Sequence, residues 1–209
     1  MRLILTRISH CQDNAELGIA AHHACVSLRR FFKWIGFNHR SHTSQFGKLH
    51  RVLGIQFCNK FGYKVAAIGR GPENSVLAKK LGANVYIDSK AVNPTAELQK
   101  LGGAHAILAT APDSKAMSEL IDGLAPKGKF IVVGLSSDPI AVRPLQLIVG
   151  EHAIQGSVAG TPTDSEDTLN FAELTGVRPM IETYPLEKAA EAYARMMSGN
   201  AQFRVVLTM

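Results

Sequence analysis

Long apolar runs and paired cysteines are both missing from this 209-residue sequence. No stretch approaches the ~20 apolar residues that a membrane-spanning helix needs, so we expect no membrane partner. Met1 to Ser9 contains no apolar segment and no cleavage site of the kind that signal peptides carry. The cysteines Cys11, Cys25 and Cys58 are too few and too scattered for a disulfide framework. We therefore expect a reducing compartment and a cytoplasmic location.

Acidic residues are scarce in the first quarter of the chain. Residues 1–53 carry the whole formal net charge of +6, because only Asp13 and Glu16 oppose the arginines and lysines there. The remaining residues are balanced in charge. Six of the eight histidines also lie in this segment, namely His10, His22, His23, His39, His42 and His50. Residues 1–53 are therefore expected to form a basic, His-rich leader.

Metal binding and nucleic-acid binding are two alternative functions for this leader. Its His and Cys residues lack the paired CxxC and HxxxH spacing of structural zinc sites. Its basic residues, with Phe31, Phe32 and Trp34, are compatible with nucleic-acid binding through phosphate contacts and stacking. No nucleic-acid-binding motif accompanies them, so a solvated segment is favoured over both alternatives.

From Gly54 to Ser89 the pattern alternates between helix and strand. Tyr63 to Ile68 is a nearly continuous apolar run, which is typical of a strand covered on both faces in a parallel sheet. A helical segment follows and ends at Gly82. This alternation predicts an α/β fold with an open, doubly wound parallel sheet. Ligands bind such sheets at the carboxyl ends of the strands, and the loop from Gly69 to Pro72 is one of these ends.

Five segments from Lys64 onward, taken in order, together resemble a known protein family. The sequence reads KVAAIGRGPENSVLAKKLGANVYIDS, HAILATAP, GLAPKGKFIVVGL, IQGSVAGT and RPMIETYPLEKAAEAYARMMSGNAQFRVVL. These segments resemble the coenzyme-binding part of the zinc-containing, medium-chain alcohol dehydrogenases. The resemblance implies a Rossmann-like domain over residues 54–177 and a C-terminal helix–strand tail over 178–209. Because residues 1–53 match nothing in the family, we expect an atypical first βα unit and a largely absent catalytic domain.

Glycines are missing where that family carries its glycine-rich turn, G-x-G-G-x-G. Counting back from LGIQF, the turn falls on Phe46 to Arg51, which read FGKLHR. In dinucleotide-binding folds, the first glycine makes a tight turn and the second lets the pyrophosphate approach the backbone. We therefore expect nucleotide binding to be weak or lost, and we expect restored glycines to recover it.

The residue that reads the cofactor ribose in the family falls on Gly69. An acidic residue at this position accepts a hydrogen bond from the 2′-hydroxyl of NAD. Glycine followed by the cation of Arg70 makes room for a 2′-phosphate, so the resemblance implies NADP in preference to NAD. The alternative for Arg70 is a solvated loop arginine.

The resemblance implies further cofactor-binding residues at the ends of later strands. These are Thr110, Ala111, Val133, Gly134, Leu135 and Arg204. The first five would lie at the carboxyl ends of strands Ala104–Thr110 and Phe130–Leu135, and their alternative role is core strand and turn. Arg204 matches an arginine that reaches the cofactor phosphates, and its alternative is an ordinary edge-strand cation. In the tail we predict a strand over Arg178–Thr183, a helix over Pro185–Met197 and a strand over Phe203–Leu207.

In the relatives, a catalytic zinc polarises the alcohol oxygen while hydride passes to nicotinamide. Its ligands have no match in residues 1–53, so we assign no catalytic residue and no metal ligand to this chain. One hypothesis is a truncated alcohol dehydrogenase whose ancestral NAD(P)-dependent oxidation of alcohols, or reduction of aldehydes, is impaired or lost. The alternative is a non-enzymatic NADP-binding or protein-interaction module. The apolar strand Ala153–Gly160 predicts a homodimer or larger oligomer that pairs sheet edges.

Overall fold

The computed structural model describes residues 2–6, 43–157 and 161–209. The strands are β1 (Arg2–Thr6), β2 (Lys64–Gly69), β3 (Val85–Asp88), β4 (Ala104–Ala109), β5 (Leu124–Val132), β6 (Ala153–Gly156), β7 (Glu182–Pro185) and β8 (Val205–Thr208). The α-helices are α1 (Thr43–Lys60), α2 (Glu73–Lys80), α3 (Pro94–Lys100), α4 (Ser114–Leu120), α5 (Pro144–Gly150), α6 (Pro162–Thr175) and α7 (Ala189–Met197). Single 3₁₀ turns at Ile121–Gly123 and Leu186–Lys188 lead into β5 and α7. None of the helices in these ranges combines the length and apolar character of a membrane span.

Six strands form the main sheet in the order β3-β2-β1-β4-β5-β6. β2 and β3 are parallel, and so are β4, β5 and β6. Helices connect these strands and cover both faces of the sheet, as the near-continuous apolar strand β2 requires. The α/β, doubly wound architecture that the sequence predicts is therefore confirmed.

The central strand β1 is the one departure from a parallel sheet. It runs antiparallel to both neighbours: Leu3 pairs with Ala67 of β2 and with Leu108 of β4. The backbone groups of two inner strands need hydrogen-bond partners, and β1 supplies them. This strand comes from the segment that the sequence analysis treats as a leader. α1 also begins in that segment and crosses the predicted boundary at residue 53.

The core consists of one apolar cluster on each face of the sheet. Val65 and Ala67 of β2 point to the first face, while Ala66 and Ile68 point to the second, as the two-residue period of a strand dictates. The first cluster contains Leu53, Ile55, Phe57 and Cys58 of α1, Ala78 of α2 and Phe171 of α6. The second contains Leu98 of α3 and Met117 and Leu120 of α4.

β5 contains an irregularity around Pro126 and Gly128. Ala104 pairs with Leu124, but Ala106 pairs with Lys129, so the register shifts within one strand. Lys127 has a φ of 61° at this irregularity. The strand predicted from Phe130 begins at Leu124 in the structure, because Leu124 already pairs with β4.

The tail forms a separate two-stranded parallel sheet of β7 and β8. The predicted strand over Arg178–Thr183 lies too early, since pairing with β8 starts at Glu182. Glu182 accepts hydrogen bonds from Arg195 of α7, at 2.9 and 3.0 Å, and from the Gln202 N–H at 2.7 Å. These bonds lower the pKa of Glu182 from 4.5 to about 2, with the Arg195 side chain as the largest cause. The carboxylate thereby joins β7 to α7 and to the turn that precedes β8.

Candidate functional site

The carboxyl ends of the parallel strands lie along one edge of the main sheet, which we call the carboxyl edge. It is formed by Gly69 of β2, Asp88 of β3, Ala109 of β4, Val132 of β5 and Gly156 of β6. β1 runs the other way, because Arg2 pairs with Ile68 and Thr6 pairs with Lys64. The amino end of β1 therefore lies at this edge, between β2 and β4.

A network of hydrogen bonds fixes the loop between β2 and α2. The Asp88 carboxylate accepts from the Gly71 N–H at 2.8 Å and from the Lys90 N–H at 2.9 Å. These backbone bonds, with that of Lys90 the larger cause, lower the pKa of Asp88. The Ser89 hydroxyl donates to the Gly69 carbonyl at 2.9 Å. Gly71 has a φ of 86°, a conformation that glycine adopts without strain. The loop is therefore held by its neighbours and does not depend on a ligand for its shape.

Gly69 occupies a position without room for a side chain. A Cβ added there would lie 2.4 Å from the Tyr86 hydroxyl oxygen and 3.0 Å from the nearest ring carbon. The same hydroxyl donates to the Gly71 carbonyl at 2.6 Å, which holds the ring across the end of β2. An acidic residue of the kind that reads the NAD ribose therefore has no place here unless Tyr86 moves.

Arg70 joins the end of β2 to the end of β4. Its guanidinium donates to the Asp113 carboxylate at 3.1 Å, and the two side chains are 72% and 31% exposed. Asp113 is also the N-cap of α4, where its other carboxylate oxygen accepts from the Ala116 N–H at 3.0 Å. Because β1 lies between β2 and β4, the ion pair spans about 10 Å of the carboxyl edge, two strand spacings. Asp113 thus binds the cation that the sequence proposes for a 2′-phosphate.

The ends of β4 and β5 bring together five of the predicted cofactor-binding residues. The Val133 and Gly134 N–H groups donate to the Ala109 carbonyl at 3.0 and 2.8 Å. A Cβ at Gly134 would lie 2.5 Å from the Ala111 carbonyl oxygen, so the two strand ends touch through backbone. Thr110 is buried and Leu135 is exposed. These residues form one contiguous patch at the edge, and their contact with a cofactor stays a prediction.

Arg204 belongs to the tail and not to the main sheet. It is exposed and directly precedes β8. Its carbonyl accepts from the Glu182 N–H at 2.8 Å, which places its backbone in the sheet of β7 and β8. Its predicted role at the cofactor phosphates stays a prediction.

Helix replaces the glycine-rich turn of the family. Residues 46–51 lie inside α1, which begins at Thr43. A Rossmann pyrophosphate site combines a strand that ends at the carboxyl edge, a tight turn and the N-terminus of the next helix. Here β1 ends at the opposite edge, and α1 extends about 12 Å beyond residue 51 toward its N-terminus. Among the residues that the structure describes, those at this edge therefore do not fit a pyrophosphate.

No group of three or more His, Cys, Asp or Glu side chains is placed to hold a metal ion in the part of the chain that the structure describes. The clusters from His10 to His42 lie outside those residues. The expectation that the chain binds no zinc stays a prediction.

Three residues that shape the carboxyl edge are not identified as site residues from the sequence. They are Tyr86, Asp88 and Asp113. Aspartate is a common N-cap residue, but the partner of the second carboxylate oxygen of Asp113 is 43 residues away. Asp88 carries a usable signal, because a carboxylate at a strand end beside a glycine loop commonly accepts backbone N–H groups. The position of the Tyr86 ring depends on the pairing of Tyr86 with Ala67, and no local pattern reveals it.

A second candidate site lies at the opposite edge of the sheet, near the amino ends of β5 and β6. It is a cavity of about 390 Å³ lined by Gln99, Asp122, Leu124, Pro126, Arg143, Leu145, Gln146, Val149, Gly150 and His152. Its polar groups largely satisfy one another, since Asp122 accepts from Arg143 at 3.3 Å and from Gln146 at 2.7 Å. None of the predicted site residues lines it, so the carboxyl edge is the better candidate.

Comparison with known proteins identifies relatives for the chain beyond residue 51. A family model described as zinc-binding dehydrogenase matches residues 52–204. The alcohol dehydrogenase patD of Penicillium expansum is 43% identical over 157 residues, which are 75% of this chain and 46% of that protein. An alcohol dehydrogenase of Geobacillus stearothermophilus is 30% identical over 158 residues, which are 75% of this chain and 47% of that protein. The chain thus spans about half the length of these relatives.

Solved structures share the same architecture. AibC superposes with a TM-score of 0.67 at 25% identity, covering 75% of this chain and 48% of that one. The alcohol dehydrogenase of the archaeon Aeropyrum pernix also gives a TM-score of 0.67, at 19% identity, and covers 92% of this chain and 55% of that one. At this identity, the second likeness shows the fold alone.

Proposed function

Because the chain belongs to the family of zinc-binding dehydrogenases, we propose that it is a coenzyme-binding domain of the alcohol dehydrogenase type with a preference for NADP(H) over NAD(H). Its ancestral reaction is the oxidation of alcohols, or the reduction of aldehydes, by hydride transfer. The 209-residue chain alone does not carry out this reaction. The observation on which the proposal rests is the end of β2, where Gly69 has no side chain and Arg70 supplies an exposed cation.

The preference for NADP follows from what each nucleotide needs at the ribose. NAD recognition uses an acidic side chain at the end of β2, and the Tyr86 hydroxyl occupies the space for such a side chain at Gly69. A 2′-phosphate needs a cation, and a guanidinium binds phosphate through parallel N–H donors. Arg70 is exposed enough to turn toward such a phosphate.

The absence of turnover follows from positioning. Hydride transfer requires the nicotinamide and the alcohol to be held within a few ångströms of each other. The pyrophosphate links the nicotinamide to the adenosine, and residues 46–51 form helix where its turn would lie. In zinc-dependent dehydrogenases, bound zinc supplies the Lewis acid for the alcohol oxygen. Without a fixed pyrophosphate, the patch at Val133 to Leu135 does not hold the nicotinamide in a reactive position.

The test is a titration of the purified chain with NADP and NAD at low and at physiological salt. We expect NADP to bind more tightly, and Arg70→Ala to weaken NADP about tenfold without affecting NAD. Arg143→Ala is the matched control, because Arg143 is also exposed and paired with an aspartate but lies at the opposite edge. Tighter binding of NAD, or equal loss of both nucleotides in Arg70→Ala, contradicts the preference. Chelator-sensitive formation of NADPH from a simple alcohol contradicts the absence of turnover.

A non-enzymatic interaction module is the second candidate function, and the surface of the tail favours it. Leu186, Tyr193 and Met197 are 49%, 60% and 38% exposed on the segment that leads through α7. Apolar side chains grouped in this way commonly mark a protein contact. A folded chain that binds neither nucleotide would favour this function over the first.

The proposal includes a homodimer or larger oligomer in the cytoplasm. β6 is the outer strand next to β5, so one side of Ala153–Gly156 has no strand partner in the described sheet. Pairing of two such edges across a two-fold axis would satisfy these backbone groups. Residues 158–160 of the predicted interface lie outside the described residues. The small number of cysteines supports a reducing compartment.

A further inference from the structure

The cavity of about 390 Å³ at the amino ends of β5 and β6 lies away from the carboxyl edge. Its walls come from the end of α3, the turn before β5, the start of β5, α5 and the residue that precedes β6. A water molecule takes about 30 Å³ in the liquid, so the cavity has room for a molecule of about ten non-hydrogen atoms. Of the described residues that line it, none is assigned to the nucleotide, so a ligand here is independent of the function proposed above.

One wall of the cavity is apolar and open to solvent. Leu145 and Val149 of α5 are 68% and 77% exposed, whereas Leu124 behind them is buried. In the part of the chain that the structure describes, α5 has no fully buried residue. A ligand with an apolar body would cover these side chains and remove their surface from water, which is favourable.

The acceptors at the polar end of the cavity already have donors. The Asp122 carboxylate accepts from Gln146 at 2.7 Å and from Arg143 at 3.3 Å. The carbonyls of Asp122 and Leu124 both accept from the Gln99 amide. A cationic ligand would have to displace these donors, and the guanidinium already compensates the charge of the carboxylate. The lining therefore does not favour a cation.

Donors remain available for a ligand at the same end. Nδ1 of His152 is buried and has no hydrogen-bond partner among the described residues. The His152 ring packs against Gly150, where an added Cβ would collide with Nε2, so the ring is held in place. A buried polar atom without a partner is unfavourable, and a ligand atom that bonds to it relieves this cost. The bond to Asp122 uses Nη2 of Arg143, and a guanidinium carries five N–H donors.

We infer that this cavity binds a small monocarboxylate with an apolar body. The carboxylate accepts hydrogen bonds from Arg143 and from Nδ1 of His152, in the tautomer that carries the proton there. The apolar body covers Leu145 and Val149. Arginine suits this ligand, because its planar fork matches the two oxygens of a carboxylate. With one cation and one open wall, the dissociation constant is expected on the order of 1 mM.

The experiment titrates four probes into the full 209-residue chain and follows binding by NMR. The probes are phenylacetate, phenylacetamide, phenethylamine and acetate. Phenylacetamide and phenethylamine keep the apolar body and replace the anion by a neutral group and by a cation. Acetate keeps the anion and lacks the apolar body. We expect phenylacetate to bind at least about fivefold more tightly than the other three, because it alone has both parts.

Arg143→Gln tests the anion contact and is expected to weaken phenylacetate about fivefold. Arg178→Gln is the matched control, because Arg178 is also exposed and paired with an acidic side chain but does not line the cavity. His152→Phe keeps an aromatic ring and removes Nδ1, and it is expected to weaken phenylacetate about threefold. Nitrogen NMR of the labelled wild-type imidazole tests the same contact without a substitution, since phenylacetate should shift the Nδ1 signal of His152.

Four results would overturn the inference. They are equal binding of phenylacetate and its amide, an unmoved Nδ1 signal at saturation, unchanged affinity in Arg143→Gln, and no binding of phenylacetate at about 10 mM. An affinity that falls as the chain concentration rises would also contradict it, because a second copy would then cover the cavity. None of these results bears on the NADP preference, which is tested at Arg70.

Discussion

At the scale of single residues, Gly69 and Tyr86 form a coupled pair. Gly69→Asp is expected to lower the free energy of unfolding by about 1–3 kcal/mol, because the new side chain meets the Tyr86 hydroxyl oxygen at 2.4 Å. For the same reason, the substitution is expected not to produce NAD binding. Urea denaturation of Gly69→Asp, of Tyr86→Phe and of the variant with both substitutions measures the coupling between the two residues.

Tyr86→Phe removes the closest atom and leaves ring carbons at 3.0 and 3.1 Å. This change alone costs about 1 kcal/mol, since the Gly71 carbonyl loses its hydrogen bond. In the Tyr86→Phe background, Gly69→Asp should cost less than in the wild type. Strictly additive costs would show that the hydroxyl is not what keeps a side chain out of position 69.

The same residues show how far a sequence can specify a site. The ends of strands are visible in the apolar runs, so Gly69, Thr110 and Val133 could be placed at the carboxyl edge before any coordinates. The ion pair between Arg70 and Asp113 could not, because it depends on the separation of β2 and β4 by one intervening strand. Contacts between loops follow from strand order, and strand order has no local sequence signal.

At the scale of elements, α1 changes an expectation drawn from the sequence. From the sequence alone, restored glycines at residues 46–51 are expected to recover nucleotide binding. In the structure these positions are helical, and each glycine in a helix interior costs about 1 kcal/mol relative to alanine. The reversed β1 also leaves no strand end for the turn to follow. We therefore expect the glycine variant to be less stable and no better at binding NADP.

Circular dichroism during thermal unfolding and an NADP titration check this prediction. A variant with alanines at the same positions is the control, because alanine keeps the helix while removing the same side chains. A glycine variant that binds NADP more tightly than the alanine variant would show that the turn can form despite β1.

β1 and the start of β7 could not be predicted from the sequence. RLILT is too short an apolar run to identify as a strand, and its partners β2 and β4 lie far along the chain. The strand predicted from Arg178 starts later because Gln56 of α1 binds both the N–H and the carbonyl of Arg178. Those backbone groups are then unavailable for hydrogen bonds to a neighbouring strand. In both cases a distant partner decides the structure, whereas β2 and α2 follow from local periodicity.

At the scale of the whole molecule, the proposed oligomer can be tested at the outer edge of β6. Light scattering at micromolar concentration is expected to give at least twice the 22.6 kDa mass of one chain. Ala153→Lys is expected to shift the mass toward the monomer, because a lysine on an edge strand opposes pairing with a second edge. Val76→Lys, at an exposed position on α2, should leave the mass unchanged. A monomeric wild-type chain would contradict the proposal.

The reversed central strand also has a consequence for how the chain is made. β2 and β4 do not pair with each other, so among the described strands β1 alone links the two halves of the sheet by hydrogen bonds. A ribosome that adds about 5–20 residues per second completes β4 roughly 5–20 seconds after β1. During that interval the strand that will lie at the centre of the sheet has no second partner. Newly made chains should therefore depend on chaperones until β4 emerges, and slowing translation between β2 and β4 should lower the yield of folded protein.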